Sequence, residues 1–311
     1  MTNDSIGIDI SKDKLDACRL SDGAFAQFPN SPRGFQRLRQ WIGTTPPGRV
    51  VYEPTGACHA SFETALAGHL PLVKVNPRHA RRFAESCGSL AKTDRADARM
   101  LAQMGAAHAL QPDRLAARDQ SVLRELQSAR TALVKDKVRL KNQLDQQRHA
   151  LTRRLSRRRL RLVEAQIAEL DYAIRAQLET CPERQRALHL IESIKGIGAV
   201  AATTILIEMP EIGSLRKKAV AALAGVAPIT RQSGRWRGNA YIQGGRKPLR
   251  DALYMPALVA LRYNPDLKAQ YERMKAAGKP SKVAITAIMR KLIILANTLV
   301  KEDRKWQPKL A

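Results

Sequence analysis

Apolar Ile6 and Ile8 flank Gly7, polar turn residues follow, and a second apolar run opens near Leu15. This pattern predicts a β-hairpin at the start of the chain. Val50 and Val51 form a short apolar run stopped by Pro54 and Gly56. "LPLVKVNP" reads as another strand, closed by Asn76-Pro77. Helical spacing is predicted over about 33–43, 58–68, 77–87 and 94–107, so strands and helices alternate and a helix-covered sheet is expected. Farther along the period changes. Leu126, Leu133 and Leu140 recur every seven residues, with Leu123, Leu144 and Leu151 supplying much of a second position. Val163, Ile167, Leu170, Ile174 and Leu178 continue a helical stripe. Two paired helices over about 117–180 are expected, broken near 152–161, and residues 186–311 read as all-helical.

Three segments follow from this pattern: an α/β segment over 1–112, a coiled-coil region over 113–185 and a helical segment over 186–311. Charge separates them further. The chain carries 54 Lys+Arg against 28 Asp+Glu, a net +26, with a pI near 10.6. The first 110 residues hold 14 bases and 10 acids, whereas residues 191–311 hold 22 and 8. Such an excess suits a polyanion, and nucleic acid is the expected partner. No run of 18 apolar residues and no signal-peptide pattern is present, so a cytoplasmic, nucleoid-associated protein with no membrane partner is expected. Four scattered cysteines without a C-x-x-C pair argue for reduced thiols and against zinc.

Against this basic background, "AKTDRADARML" places Asp94 and Asp97 three residues apart, on one face of a helix start. Asp9 follows one apolar strand run and Glu53 ends another. Carboxylates at strand ends, without a His or Cys partner, suit a hard cation such as Mg²⁺. A pair of such ions can hold the attacking and leaving oxygens of a phosphoryl transfer. The plainer reading makes Asp94 an N-cap and Asp97 a surface acid paired with arginines. For the helix pair the two readings stand level, and the strand-end acids favour metal. Six histidines form no H-E-x-x-H spacing, and a phosphate-binding Gly-rich loop is absent.

Three basic features point to a phosphate backbone. "TRRLSRRRLR" holds Arg153, Arg154, Arg157, Arg158, Arg159 and Arg161 with no acid among them, as a nucleic-acid contact or a solvated charge run. "LIESIKGIGAVAATTILIEM" matches a helix-hairpin-helix or a plain helical hairpin. Ile191 and Ile194 precede the turn Gly196-Ile197-Gly198, and small Ala202 marks the crossing. Between Glu211 and Asp251 lie nine bases and no acid. Ser233 sits there among Arg231, Arg235 and Arg237, with Trp236 beside it and Arg246 farther on. Ser-Gly in a basic loop is also an ordinary turn, and no histidine follows residue 189 to take a serine's proton.

The ordered stretches "GIDISKDKLD", "YEPTG", "VNP", "KTDRADARMLA", "LIESIKGIG", "LAGVAP", "SG…RG" and "LRDALYMPA" resemble one family along nearly all of residues 5–300. It comprises insertion-sequence transposases with a RuvC-like Asp-Glu-Asp-Asp domain and a C-terminal catalytic serine: the bridge-RNA-guided recombinases and related pilin-gene invertases. The resemblance implies an RNase H-like (RuvC-like) N-terminal domain, a coiled coil used in homo-oligomerisation as a dimer or tetramer, and a helical serine domain with a helix-hairpin-helix-like motif. It places the tetrad on Asp9, Glu53, Asp94 and Asp97 with Mg²⁺, and the nucleophile on Ser233. Gln232 departs from relatives that carry an acid there. A covalent phosphoserine on DNA, and donor and target DNA chosen by a structured bridge RNA, are further implications. The rivals are a hydrolytic RuvC-like junction resolvase, a tyrosine recombinase using Tyr241 or Tyr254, and a non-catalytic nucleic-acid-binding scaffold.

Overall fold

The computed structural model describes residues 4–54, 56, 58–88, 93–112 and 118–308. The chain divides into two compact units, Met1–Ala116 and Ala117–Ala311. The boundary expected after 112 abuts residues 113–117, which lie outside the described set.

The first unit is built on a five-stranded sheet in the order β3-β2-β1-β4-β5. β1 (Ser5–Ile10), β2 (Lys14–Arg19) and β3 (Phe25–Pro29) form an antiparallel meander, so the hairpin read from the sequence is present and a third strand extends it. β4 (Arg49–Tyr52) and β5 (Leu72–Lys74) add parallel to β1. Parallel neighbours need crossovers, and α1 (Pro32–Ile42) and α2 (His59–Leu66) supply them. These two helices bury Phe35, Leu38, Ile42, Phe62 and Leu66 against the face carrying Ile6, Ile8, Ile10, Val50 and Tyr52. α3 (Pro77–Ser86) and α4 (Asp94–Ala107) cover the opposite face through Ala80, Ala84, Met100, Leu101 and Met104, against Val51 and Val73.

α4 lies unusually close to β1. A β-carbon added at Gly7 would stand 2.0 Å from the Ala98 carbonyl oxygen and 2.4 Å from the Ala102 nitrogen. At Gly105 it would meet Val51 at 2.5 Å. Glycine is therefore required on both partners of the contact. The helix start is held by Thr93, whose hydroxyl accepts from the Ala96 amide. The alternative in which Asp94 caps this helix is thus corrected: Asp94 is the first helical residue, and its carboxylate is free of that duty.

The second unit is helical with one exception. α5 (Arg118–Gln146) and α6 (Ala150–Glu179) form an antiparallel hairpin, tied by Arg130–Asp171 and by Lys137–Glu164 at 3.0 Å. The break anticipated at 152–161 falls at 147–149 instead, and the arginine run is helical, within the first turns of α6. A sequence rich in Arg and Leu has good helix propensity, so charge alone does not interrupt it. The root of the hairpin joins the C-terminal core: Leu123, Ile174 and Leu178 pack with α7 (Pro182–Glu192) and α8 (Ala199–Glu208). Gln120 donates to the Ile207 carbonyl at 2.6 Å, and Gln127 to Thr204 at 3.0 Å.

α9 (Lys217–Leu223), α10 (Lys247–Tyr263), α11 (Pro265–Ala276) and α12 (Ser281–Glu302) complete this unit. α12 is long and apolar enough to cross a bilayer, with a mean hydropathy of 1.8, but Ile288, Leu292, Ile293, Ala296 and Leu299 fill the core of this unit. The exception to helix is a β-ribbon between α9 and α10, where the all-helical expectation fails. β6 (Pro228–Ile229) pairs with β9 (Tyr241–Ile242), and β7 (Gln232–Ser233) with β8 (Trp236–Arg237). Each ladder is two residues long, too short to leave an alternating pattern in the sequence.

Gly7→Ala is expected to lower the stability of the protein by about 3 kcal/mol or more, because backbone rather than a flexible side chain blocks the added carbon. A shift in the denaturant midpoint measures it, and an unchanged midpoint would show that α4 can move away from β1 freely.

Candidate active site

The sheet places the acids before any helix does. Side chains alternate across a strand, so Gly7 and Asp9 share the face opposite Ile6, Ile8 and Ile10. β4 runs parallel with Ile8 opposite Tyr52, which brings Glu53 beside Asp9 at the carboxyl ends of both strands. β2 runs antiparallel with Asp16 directly opposite Asp9. α4 crosses this face, and its first turns deliver Asp94 and Asp97. Carboxylate oxygens of Asp9, Asp16 and Asp94 all lie within 4.8 Å of one another.

Such crowding has an electrostatic signature. Asp9 is pushed up to about 6, first by burial and then by Asp94, Asp97, Asp16 and Glu53. The sequence-predicted tetrad is therefore one electrostatic cluster. Lys14, at the start of β2, reaches into it: its Nζ lies 2.7 Å from Asp94 and 3.2 Å from Asp16. Gln27 donates to the other oxygen of Asp16 at 2.9 Å. Oxygen-only donors around a lysine ammonium fit a hard divalent cation better than zinc or copper.

Asp16 and Lys14 are the members that sequence reasoning missed. The hairpin is legible in the sequence, but its turn length is not, and only a four-residue turn at 11–14 brings Asp16 opposite Asp9. Once that length is known, the charge pattern "KLD" on β2 is the signal.

In the second unit the basic residues divide by role. Arg154, Arg157, Arg158, Arg159 and Arg161 are exposed on α6 and form no ion pair among the described residues. Arg153 instead turns back on the hairpin, donating to the carbonyls of Gln147 at 2.9 Å and Leu144 at 3.3 Å, where α5 ends. Arg246 is half-buried and pairs with both carboxylate oxygens of Glu211, at 2.7 and 2.9 Å, as well as with the Glu208 carbonyl. It braces the end of α8 against the start of α10. Gly196 has φ +115°, and the close approach it permits is to Ala260 of α10; Gly198 opens α8 with nothing near its α-carbon.

Ser233 lies in the ribbon, opposite Trp236 across a turn in which Gly234 takes φ +54°. Ser233, Arg235 and Arg237 are exposed, as is Trp236, at 60%. Arg231 sits over the ring of Tyr241, 5.0 Å from its centroid.

Two family models match stretches of the chain. A DEDD-type IS110 transposase domain matches residues 6–153, and one described as transposase IS116/IS110/IS902 family matches residues 188–272. The pilin gene-inverting protein of Moraxella bovis is 30% identical over 328 residues, covering 100% of this chain and 99% of the relative. The chain belongs to the IS110/IS116/IS902 family of transposases. The corresponding Moraxella lacunata protein is equally similar. An insertion element IS110 protein of Streptomyces coelicolor is 24% identical over 46% of this chain and 36% of its own. As an IS110-family member the protein is a DNA recombinase, and a DEDD-type domain accords with divalent-metal use.

The raised carboxyl of Asp9 gives a signed prediction. Its folded pKa of about 6 lies above the usual 3.8, so the folded state binds the proton more tightly. Destabilisation therefore grows as pH rises from about 4 through 6 and is full above that. In metal-free protein, Asp9→Asn should stabilise by on the order of 1 kcal/mol at pH 7–8, allowing for solvent screening, and by nothing near pH 4. Thermal melts across that range measure it; a gain independent of pH would show that carboxylate crowding is not its source.

Proposed function

We propose that the chain is a serine-dependent, metal-assisted DNA recombinase with a RuvC-like N-terminal domain. Ser233 attacks a phosphodiester of DNA: its Oγ forms the new bond to phosphorus, and the backbone ester bond opposite breaks with a free hydroxyl end leaving. The protein then carries the strand as a phosphoserine. Attack of another hydroxyl end reverses the step, so strands are rejoined without an outside energy source. The observation that carries this reading is the full-length likeness to gene-inverting proteins, because inversion requires rejoining and bare hydrolysis does not supply it.

The residues divide the work. Asp9, Glu53, Asp94 and Asp97 would hold Mg²⁺, which supplies charge neutralisation and a Lewis acid at the reacting phosphate. Arg231, Arg235 and Arg237 flank Ser233 in the ribbon and would hold phosphate oxygens. Trp236 offers an exposed ring to a base. No histidine follows residue 189 to take the serine's proton. Gly198, with its open backbone at the start of α8, and the five exposed arginines of α6 would bind backbone phosphate of donor DNA, target DNA or a structured bridge RNA. Homo-oligomerisation through the α5–α6 hairpin belongs to the same reading.

In reactions on the element's own ends and flanking DNA, a covalent protein–DNA adduct trapped by denaturant should map to Ser233. Both Ser233→Ala and Asp97→Ala should lose recombination by at least ~100-fold. An adduct on another residue, or efficient exchange by Ser233→Ala, would end the serine mechanism; free ends without adduct would identify a hydrolytic nuclease.

Changing Arg154, Arg157, Arg158, Arg159 and Arg161 to Gln, with Arg153 kept to hold the turn, should flatten the salt dependence of nucleic-acid binding. The expected loss is roughly 0.7–0.9 log units of slope per phosphate contact removed. An unchanged slope would make the run a solvated helix face.

A further inference from the structure

Asp16 is outside the four acids the family pattern assigns, yet it is the most buried carboxylate of the cluster. Its side chain is 3% exposed, against 53% for Asp94. Packing alone does not explain an acid there: Asn would fill the same space and still accept the bond from Gln27. A buried carboxylate needs a cation close by. Lys14 provides one, with a single Nζ bridging Asp16 and Asp94 from a side chain that is itself 39% exposed. The ammonium therefore stands among oxygens of the very acids that crowd Asp9.

We propose that Asp16 is a fifth carboxylate of this centre, and that Lys14 is its resident counter-ion, seated between Asp16 and Asp94 until a divalent cation displaces it. The proposal rests on the reading of the acids as a metal centre. Without metal, Lys14 offsets the mutual repulsion of five carboxylates and keeps α4 closed on the sheet. A divalent ion carries twice the charge and takes several oxygens at once, so it wins the position, and the exposed lysine swings to solvent. Binding is then a competition, and the lysine sets the metal concentration at which the centre loads.

The test uses full-length protein without DNA, titrated with Mn²⁺ and read by electron paramagnetic resonance of the free ion. Lys14→Gln should bind Mn²⁺ several-fold more tightly than wild type. Asp16→Asn should bind ~10-fold or more weakly. Lys14→Gln should also melt lower than wild type without metal and recover when Mn²⁺ is added. Affinity unchanged or weaker in Lys14→Gln overturns the counter-ion role, and affinity unchanged in Asp16→Asn overturns the fifth ligand. If Asp16→Asn does not fold, the exposed Lys14 variant still decides the counter-ion role, and Asp16→Glu, which keeps the charge while moving it, must alter the affinity for the ligand role to stand. An Asp9→Asn control separates the two levels of the argument. Wild-type binding that Asp9→Asn abolishes, with Lys14→Gln and Asp16→Asn both like wild type, leaves the metal centre standing and removes this proposal. No Mn²⁺ binding by wild type removes both.

Discussion

The approach of α4 to β1 is the constraint on which the N-terminal site depends. Gly7 and Gly105 strip the contact of side chains, and the helix axis is drawn to within backbone distance of the strand. Only at that range can Asp94, on the first turn of a helix, share space with Asp9 and Asp16 on two strands. Folding energy from Met100, Leu101 and Met104 against Val51 and Val73 is thereby used to hold acids together that would otherwise separate. The raised pKa of Asp9 reflects its burial first and that opposition second. A site of this kind is least stable when empty, and a cation relieves it, whether from a side chain or from solution.

A similar trade governs the basic unit, where positive charges are sorted by what they touch. Arg153 and Arg246 end on carbonyls and a carboxylate of their own unit, so they shape the hairpin turn and the start of α10. Their neighbours in sequence, Arg154 and Lys247, point outward. Uniform runs of charge in the sequence thus conceal two populations. A guanidinium with several donors in a fixed fork can close a helix end and a loop together, which an ammonium does poorly.

Much of the fold was legible because its elements obey simple periods. β1, β2, β4, β5 and the four helices of the first unit follow from apolar spacing, with Asn76-Pro77 closing the strand before α3. Asp9 and Glu53 stood out because carboxylates at apolar strand ends are anomalous, whereas Asp94 and Asp97 read equally well as an ordinary surface pair. What was not legible depends on register or on very short elements. Asp16 became part of the site through a turn length, and the ribbon carrying Ser233 has ladders of two residues. The hairpin break was misplaced for a different reason: six arginines resemble a loop by charge, whereas Arg and Leu both have good helix propensity. Local propensity won because the exposed face of a helix tolerates charge that a core would not.

Acids that bind a cation and bases that bind a phosphate backbone are mutually quenching if they sit together. In this chain they belong to different units of the fold. The carboxylates lie on one face of a sheet in a unit with nearly balanced charge, and the arginines lie on α6 and on an exposed ribbon in a unit of large positive excess. A polyanion is attracted over a Debye length of about 8 Å at physiological salt, so it meets the exposed arginines first. At the carboxylate cluster it would meet net repulsion unless a cation already neutralised the acids. If a cation occupies the acids, loading it and docking the polyanion are linked, each favouring the other.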